Sequence, residues 1–375
     1  MTNTDPQKSP YSSKNITPMT PHEHIRRRPG MYFGGTDSHA LHNLLWQVVD
    51  NSLDEHLAGR CDTIRITLHS DTGITVSDNG EGIPVETAEH GRTLLELFMT
   101  HIGGGKFDEK AYKVKGGLHG VGVSAVNALS AEMIAEIKRS GYLWRQTYSE
   151  GLVTSPVEQV RPLAENESTG TRITFTPDFT IMDEGLTFDY EFIKERCQEL
   201  AYLLPQLTLE IEHEGKVISL NHSNGIADWV ADLNKNIETV HPVLHINSQV
   251  DYQATYSNSL FSIKVELALQ FRQNIDGTVM SFMNTILVRD GGVQIEGLEM
   301  ALINAIYGET VPKSDNPLQG LTAILNIYHP DPQFEGAMKI KLLNPEIKQA
   351  VMECVQTMFS ENPDILDSLR THFAD

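Results

Sequence analysis

The sequence predicts an α+β protein of two domains, and three observations support this fold class. The chain has 375 residues, which is enough for about two domains of ordinary size. An amphipathic helix and alternating strand patterns open the first part, whereas strands come first and helices after in the second part. The turn-forming run Asn221-His-Ser-Asn-Gly225 separates the parts. We therefore expect an arm over residues 1–20, a first domain over 21–222 and a second domain over 223–375.

Composition and charge exclude several classes of protein. Hydrophobic residues make up 40% of the chain, which suits a globular fold, and no apolar run is long enough to predict a membrane span. The three cysteines show no metal or disulfide spacing, and the N-terminus lacks the apolar core of a signal peptide, so we expect a cytoplasmic protein. The formal net charge of −21 argues against a DNA-coating surface. Weak or absent DNA binding is therefore expected without other subunits.

The arm and the first long helix are the next elements in order. The first twenty residues can bury little apolar surface, which predicts a flexible arm with Tyr11 as one of its few large hydrophobic residues. Leucines and valines at helical spacing then predict an amphipathic helix over Leu41–Leu57. The three acids and the asparagine of this helix form two i,i+4 pairs. Taken alone, this pattern is as typical of a solvent-exposed acidic edge as of a binding site. These residues are Asp50, Asn51, Asp54 and Glu55.

Two alternating segments, residues 63–68 and 73–77, predict antiparallel strands, and Asp78 follows the second directly. Glycines after this carboxylate let the backbone turn close to a flat ligand. The carboxylate can accept a hydrogen bond from an exocyclic amine such as that of adenine. Alone, this pattern is also typical of a simple turn. The glycines and the apolar residues after them are Gly80, Gly82, Ile83 and Pro84.

A segment rich in glycine and lysine, residues 103–122, indicates a phosphate-binding loop. Backbone N–H groups and ammonium groups of such a loop can face the oxygens of a polyphosphate. The segment ends at Leu118-His-Gly-Val-Gly-Val-Ser124, which opens an apolar helix whose N-terminus favours phosphate. It matches neither the Rossmann fingerprint nor a Walker loop.

The remaining elements follow from periodicity and turn signals. Thr171, in the run Ser-Thr-Gly-Thr, has a hydroxyl that could reach a base or a water. Further strands are predicted at 132–148, 170–176, 207–212, near Val217, and at 252–256, 261–271, 279–288, 321–328 and 337–341, with helices at 93–101, 188–203, 226–234, 296–307 and 345–360.

Together, these motifs resemble the ATPase region of the B subunits of DNA gyrase and topoisomerase IV. The likeness continues through the second part, so it covers nearly the whole chain. The motifs are Arg28-Pro-Gly-Met-Tyr32, Val49-Asp-Asn-Ser-Leu-Asp-Glu55, Asp78-Asn-Gly-Glu-Gly-Ile-Pro84, Gly104-Gly-Lys-Phe-Asp108, Tyr112-Lys-Val-Lys-Gly-Gly-Leu-His-Gly-Val-Gly-Val-Ser124, Arg289-Asp-Gly-Gly292, Gly320-Leu-Thr-Ala323 and Asp331-Pro-Gln-Phe-Glu-Gly336.

The resemblance implies a two-layer α/β sandwich of the Bergerat type, shared by gyrase, histidine kinases and MutL (the GHKL superfamily). A transducer domain that resembles the second domain of ribosomal protein S5 would follow it. The implied cofactors are ATP and Mg²⁺. The implied partner is a second copy of the chain, in an ATP-dependent homodimer where Tyr11 of each arm crosses to the other nucleotide. No membrane contact is implied.

The resemblance also assigns roles residue by residue. Asn51 would coordinate Mg²⁺, Asp78 would hold the adenine amine with Thr171 beside it through water, and Lys339 would reach the γ-phosphate from the second domain. Arg145 matches the arginine of the aminocoumarin pocket. The other implied nucleotide-site positions are Asp54, Gly82, Ile83, Pro84, Lys106, Tyr112, Lys113, Gly117, Leu118, His119, Gly120, Val121, Gly122 and Val123.

The catalytic positions depart from the family. Gln47 stands where the family has the glutamate that polarises the attacking water, and Asn43 stands where the family has the histidine that orients it. A neutral amide cannot take a proton, so general-base assistance of the order of 10²–10⁴ should be absent. The paired change favours natural divergence, although one engineered and one drifted residue would give the same sequence.

Other positions depart as well. Glu81 replaces the family's arginine, which would pair with the acid at Glu55, so two acids are expected to face each other. Ala337 replaces a glutamine two residues before Lys339, and Gly291-Gly-Val-Gln294 replaces Gly-Gly-Thr-His. No metal-binding Toprim or DNA-cleavage motif occurs in the sequence, so we expect no DNA cleavage by this polypeptide alone. The chain is then part of a longer subunit or a free-standing paralogue, and the departures favour the paralogue.

Three functions stay open at this point. The first is an ATPase module of a type IIA DNA topoisomerase, stimulated by DNA and partner subunits. The second is a module whose ATP-closed dimer acts on another protein, gyrase among the candidates, with almost no hydrolysis. The third is a phosphotransferase, for which the sequence offers no acceptor. Gln47, Asn43 and the acidic balance favour the second, a gyrase-B-like ATP-binding dimer with impaired hydrolysis.

Overall fold

A nine-stranded sheet forms the first part of the described chain. The computed structural model describes residues 19–69, 72–88, 91–103, 120–253, 260–273, 275–308, 316–336 and 339–374. The strands of this sheet are β1 (Thr63–Leu68), β2 (Ile74–Asp78), β3 (Ser130–Arg139), β4 (Tyr142–Ser149), β5 (Leu152–Val153), β6 (Glu158–Pro162), β7 (Gly170–Pro177), β8 (Thr208–His213) and β9 (Lys216–Leu220). Their order is β5-β4-β3-β7-β2-β1-β8-β9, and β6 also pairs with β4. Every pairing is antiparallel except that of β1 with β8.

Helices cover one face of this sheet. They are α1 (Pro21–Arg27), α2 (Gly30–Phe33), α3 (Ser38–Leu57), α4 (Leu94–Thr100), α5 (Gly122–Ala128) and α6 (Tyr190–Leu203). The long helix α3 begins where the side chain of Asp37 accepts a hydrogen bond from the N–H of Ala40 at 3.0 Å. In β1, Ile64 and Ile66 are buried while Arg65 between them is exposed, so only one sheet face is packed. The result is a two-layer arrangement of helices on a sheet.

A second sheet organises the rest of the chain. Its strands are β10 (Leu244–Gln253), β11 (Leu260–Phe271), β12 (Val279–Met283), β13 (Ile286–Leu287) and β14 (Leu321–Tyr328), in the order β10-β11-β14-β12-β13. The helices are α7 (Ile226–Leu233), α8 (Val293–Tyr307), α9 (Pro345–Glu361) and α10 (Pro363–His372). Every residue of β14 is buried. Ile324 packs in the same cluster as residues of α7, whereas Ala323 and Leu325 pack with α8 and α9, so helices cover both faces.

The α+β fold class is confirmed, and most elements lie where periodicity predicted them. The predicted strand at 132–148 is wrong as one strand, because the chain turns at Ser140 and Gly141, both with positive φ, to form the β3–β4 hairpin. Of the strand predicted at 252–256, residues 252 and 253 are the end of β10, which begins at Leu244, and residues 254–256 lie outside the described residues. Residues 339–341 form no strand, and 337–338 lie outside the described residues. The short β5 and β6 and helix α10 were not predicted.

The three cysteines are all buried and are free thiols. Within the described ranges, no helix combines the length and apolarity needed to cross a membrane.

The first residue of β7, Gly170, allows an unusually close approach to β2. Its φ is +152°, and a β-carbon added there would collide with the carbonyl oxygen of Asp78 and lie 3.2 Å from Asn79 Cα. We expect Gly170→Ala to lower the free energy of unfolding by more than about 2 kcal/mol, because backbone on both sides must shift. Gly141→Ala is the control. It also has positive φ, but no atom lies within 4 Å of its added β-carbon, so a loss of about 1 kcal/mol is expected. Urea unfolding measures both, and equal losses would contradict this packing.

Candidate functional site

The carboxylate of Asp78, at the end of β2, is held by donors from three elements. Ser52 Oγ on α3 donates to Oδ2 at 2.7 Å. The N–H groups of Gly80 and Thr171 donate to Oδ1 at 3.0 and 3.1 Å. These bonds fix the carboxylate as an acceptor, which is what recognition of an exocyclic amine requires. The structure therefore brings Asp78 and Thr171 together, as the resemblance implied, and joins them through the N–H of Thr171.

The loop after Asp78 lies against β7 and β3. The N–H of Ile83 donates to Thr171 Oγ1 at 3.3 Å, and both residues are buried. Gly82 is buried as well, whereas Pro84 is exposed. Arg139, which the sequence did not single out, donates from Nη1 to the carbonyl oxygen of Gly82 at 2.8 Å. The loop is thus held from both sides, and Arg139 is a positioning residue that carried no recognisable sequence signal.

Acidic residues of α3 and a lysine from the second part of the chain form a charged cluster. The pKa of Asp50 is raised to about 6 because burial and the neighbouring Asp54 disfavour its carboxylate, while Lys339 and Arg196 oppose this shift. Burial lowers the pKa of Lys339, and Asp50 and Asp54 oppose that shift in turn. The predicted residues Asp54 and Lys339 therefore share one cluster, joined by Asp50 and Arg196, which sequence reasoning did not assign.

The side chains of α3 supply too few ligands to hold Mg²⁺ by themselves, so an ion there would also need phosphate oxygens as ligands. Asn51 and Asp54 are both buried and offer amide and carboxylate oxygens, the donors that Mg²⁺ prefers. No group of three or more metal-ligating His, Cys, Asp or Glu side chains occurs among the described residues. Mg²⁺ commonly completes its six ligands with phosphate oxygens and water. The donor set at Asn51 therefore fits an ion shared with a polyphosphate.

Gln47 lies directly against the start of α5. A β-carbon added to Gly122 would collide with Gln47 Oε1 and lie 3.3 Å from Gln47 Cβ. Val121 provides no side-chain cap for α5, so the backbone N–H groups of its first turn are not used by that residue. Val123, also in the first turn, is buried. The structure thus places a neutral carboxamide beside a helix N-terminus of the kind that binds phosphate.

Asn43 lies one helical turn before Gln47 but contacts a different group. Its Nδ2 donates to the carbonyl oxygen of Phe33 at 3.1 Å. This hydrogen bond ties α3 to α2 and directs the amide nitrogen toward the backbone of α2. The position that orients the catalytic residue in the family holds a structural contact here.

The remaining predicted residues are only partly brought together. Arg145 is exposed on β4, and β3 and β7 separate that strand from Asp78 on β2. The N–H of Gly103 donates to the carbonyl oxygen of Gly120 at 3.1 Å, so these two residues are in contact. The predicted residues that lie outside the described ranges are Tyr11, Lys106, Tyr112, Lys113, Gly117, Leu118 and His119.

The expectation that Glu55 and Glu81 face each other needs correction. Arg60, which sequence reasoning missed, lies with its Nε 3.0 Å from Glu55 Oε2 and 3.9 Å from Glu81 Oε2. The two acids therefore share one guanidinium. Arg60 lies five residues after Glu55, beyond the i,i+4 spacing that joins side chains on a helix, so no local pattern pointed to this contact.

A network of buried polar groups anchors the loop that carries Lys339. His329 is 1% exposed, and its Nδ1 accepts a hydrogen bond from the N–H of Asp331 at 3.0 Å, which leaves the proton on Nε2. Nε2 lies 3.2 Å from Glu346 Oε1. Asn344 donates to the same oxygen at 2.8 Å and accepts from the N–H of Gln333 at 2.5 Å. These contacts join both ends of the loop to the start of α9.

Comparisons with known proteins place this geometry in a family. The DNA gyrase B family model matches residues 225–373, and the model of histidine kinase-, DNA gyrase B- and HSP90-like ATPases matches residues 36–181. The B subunit of DNA gyrase from Haloferax volcanii is 39% identical over 379 residues, covering 96% of this chain and 58% of that protein. Its counterpart from Archaeoglobus fulgidus is 38% identical, covering 97% and 58%. The chain thus spans less than two thirds of these relatives.

One solved structure matches nearly end to end. The 43K ATPase domain of Thermus thermophilus gyrase B, in complex with an aminocoumarin, superposes with a TM-score of 0.74 at 32% identity. The match covers 93% of this chain and 92% of that one.

Protonation of His329 should destabilise the protein. Burial lowers the pKa of its imidazole below the ordinary value, so the contribution to stability is present above about pH 6.5 and is lost as the pH falls below 6.5 and through the lower pKa of the folded state. We expect His329→Gln to lower the melting temperature more at pH 8 than at pH 5.5. Thermal unfolding across this range measures the difference, with His372→Gln, an exposed histidine, as the control. A destabilisation by His329→Gln that grows as the pH falls would show instead that its contact with Glu346 dominates.

Proposed function

The chain belongs to the gyrase B family of GHKL-type ATPases, and from that premise we propose that it binds Mg-ATP, closes as a homodimer and hydrolyses the nucleotide slowly. The site would lie between α3, the loop after β2 and the start of α5. The proposed division is an arm over residues 1–20, an ATP-binding domain over 21–222 and a transducer domain over 223–375. In the closed dimer, Tyr11 of each arm would reach the other protomer's nucleotide.

Adenine would be recognised at Asp78. Its carboxylate is oriented by the hydroxyl of Ser52 and by the N–H groups of Gly80 and Thr171, and a carboxylate is the acceptor that the amine of the base requires. Thr171 supports this assignment, since its N–H orients Asp78 and its hydroxyl accepts from Ile83. The apolar side chain of Ile83 and the ring of Pro84 would then face the base.

The phosphates would lie between the start of α5 and Lys339. Backbone N–H groups of the first turn after Gly122 and the ammonium group of Lys339 can both face phosphate oxygens. Mg²⁺ held by Asn51 would neutralise phosphate charge. Lys339 would lie near the same phosphates, because the acids whose charges act on it, Asp50 and Asp54, belong to the same helix as Asn51.

The contact between Gln47 and Gly122 carries the proposal of slow hydrolysis. Gln47 lies beside the first turn of α5, where an attacking water would have to be activated. Its carboxamide can hydrogen-bond to water but cannot take a proton from it. Asn43 gives no help, since its amide is bonded to Phe33. General-base assistance of about 10²–10⁴ is therefore missing, while the binding groups are kept.

The closed dimer would act on a protein partner in the cytoplasm, gyrase itself among the candidates. The net charge of −21 supports weak DNA binding in the absence of other subunits. An ordinary ATP-hydrolysing module of a type IIA topoisomerase is the second candidate. The likeness to a DNA gyrase B protein over 96% of the chain favours it.

Restoring an acid and a histidine should restore turnover. We expect Gln47→Glu with Asn43→His to raise the rate of phosphate release from Mg-ATP by about 10²–10⁴ over the unchanged chain. Gln47→Glu alone should give less, because its carboxylate would lack an orienting partner. Phosphate release under saturating ATP measures all three proteins.

Gln47→Met is the matched control, since it keeps the length of the side chain and adds no base. It should leave the slow rate unchanged. If the unchanged chain already turns over at the rate of the double variant, Gln47 does not limit hydrolysis, and the ordinary ATPase module is the better description.

A further inference from the structure

A buried ion pair between Glu55 and Arg60, at the end of α3, lies next to the loop that positions Asp78. Glu55 is 6% exposed, and Arg60 donates to both of its carboxylate oxygens, from Nε at 3.0 Å and from Nη2 at 3.4 Å. The backbone N–H of Arg60 also donates to the carbonyl oxygen of Glu55 at 2.9 Å. A carboxylate this deeply buried is stable only when it is paired. Removal of Arg60 would take two charge-assisted hydrogen bonds away from this buried carboxylate, which favours displacement of Glu55.

Glu55 is in direct contact with the loop. A β-carbon added to Gly80 would lie 3.1 Å from Cβ and Cγ of Glu55 and 3.1 Å from Asp78 Oδ1, so Gly80 fills the space between the two acids. The N–H of Gly80 donates to Asp78, and its carbonyl oxygen accepts from Thr169 Oγ1 at 2.7 Å. Movement of Glu55 would therefore displace Gly80 and, with it, one of the donors that orient Asp78.

Position 81 faces the same guanidinium from the solvent side. Arg60 Nε lies 3.9 Å from Glu81 Oε2, and the Glu81 side chain is 61% exposed. An exposed pair at this distance contributes little to stability. Of these two carboxylates Glu55 lies closer to Arg60, and a cation placed at position 81 would lie close enough to replace Arg60.

We propose that Arg60 is a positioning residue for recognition of the base: by holding Glu55 against Gly80, it fixes the carboxylate of Asp78 that accepts the amine of adenine. The identity of the base rests on the proposed function. The fixing of Asp78 does not, because it is a property of the protein without nucleotide. Arg60 itself touches no part of the base in this arrangement and acts through Glu55 and Gly80.

Hydrogen exchange tests the fixing of Asp78 without nucleotide. Arg60→Ala should raise the exchange rates of the Gly80 and Thr171 amides by about tenfold, since both donate to Asp78. Arg60→Ala with Glu81→Arg should restore slow exchange, because the new guanidinium can reach Glu55. Arg65→Ala is the matched control, as Arg65 forms its ion pair with Glu210 on β8 and should leave both amides unchanged.

Nucleotide binding tests the consequence for recognition. Arg60→Ala should raise the Kd for ATP by about tenfold and leave the Kd for GTP much less affected, because guanine has a carbonyl oxygen where adenine carries the amine that would donate to Asp78. The ratio of the two affinities separates this role from general destabilisation, which would weaken both nucleotides together. Glu81→Arg in the same background should restore the preference for ATP.

The two measurements distinguish failure of this inference from failure of the proposed function. The inference is wrong if Arg60→Ala leaves amide exchange unchanged, if it weakens ATP and GTP equally, or if Glu81→Arg fails to restore either property. If the unchanged chain binds no ATP but the Gly80 and Thr171 amides respond as described, the ATP-binding proposal is wrong and the positioning of Asp78 by Arg60 stands.

Discussion

Three hydrogen bonds to the carboxylate of Asp78 join the elements of the candidate site. The donors are Ser52 on α3, Gly80 in the following loop and Thr171 on β7. Since each donor belongs to a different element, the carboxylate is oriented only when helix, loop and sheet are packed together. The absence of a side chain at Gly170 permits the close approach of β7 to β2 that this packing needs. The proposed recognition of the base would thus depend on tertiary packing, whereas a lone Asp-x-Gly-x-Gly motif is also typical of a turn.

Electrostatic interactions dominate the part of the candidate site that contains Lys339. Asp50 on α3 and Lys339 from the second part of the chain shift each other's pKa, and Asp54 acts on both. Burial disfavours the charged forms of Asp50 and Lys339, and their opposite charges offset part of this cost. A bound polyphosphate would compete with the acids for Lys339, and Mg²⁺ would compete with Lys339 for the acids. Nucleotide binding would therefore rearrange the contacts between α3 and the second part of the chain, which is a physical route from binding to closure.

The sequence predicted the elements that local pattern determines. The apolar spacing of Leu41–Leu57 predicted α3, and alternation predicted β1 and β2, because burial of one face dictates both patterns. Arg60 and Arg139 could not be assigned in this way, since their importance comes from a carboxylate and a carbonyl oxygen that folding brings to them. Asn43 shows the same limit. Its spacing correctly placed it one helical turn before Gln47, but spacing could not show that its amide donates to the carbonyl oxygen of Phe33.

If the chain binds ATP and cleaves it only slowly, the identity of the bound nucleotide tests this most directly. The unchanged chain would be incubated with Mg-ATP, separated from free nucleotide by gel filtration with mass measured in line, and the nucleotide in the protein peak identified. We predict a dimer that carries uncleaved ATP, because the groups for binding are present and Gln47 cannot act as a base. A protein peak that carries ADP in place of ATP would contradict slow hydrolysis. A peak with the mass of a monomer and no bound nucleotide would contradict closure of a dimer by ATP.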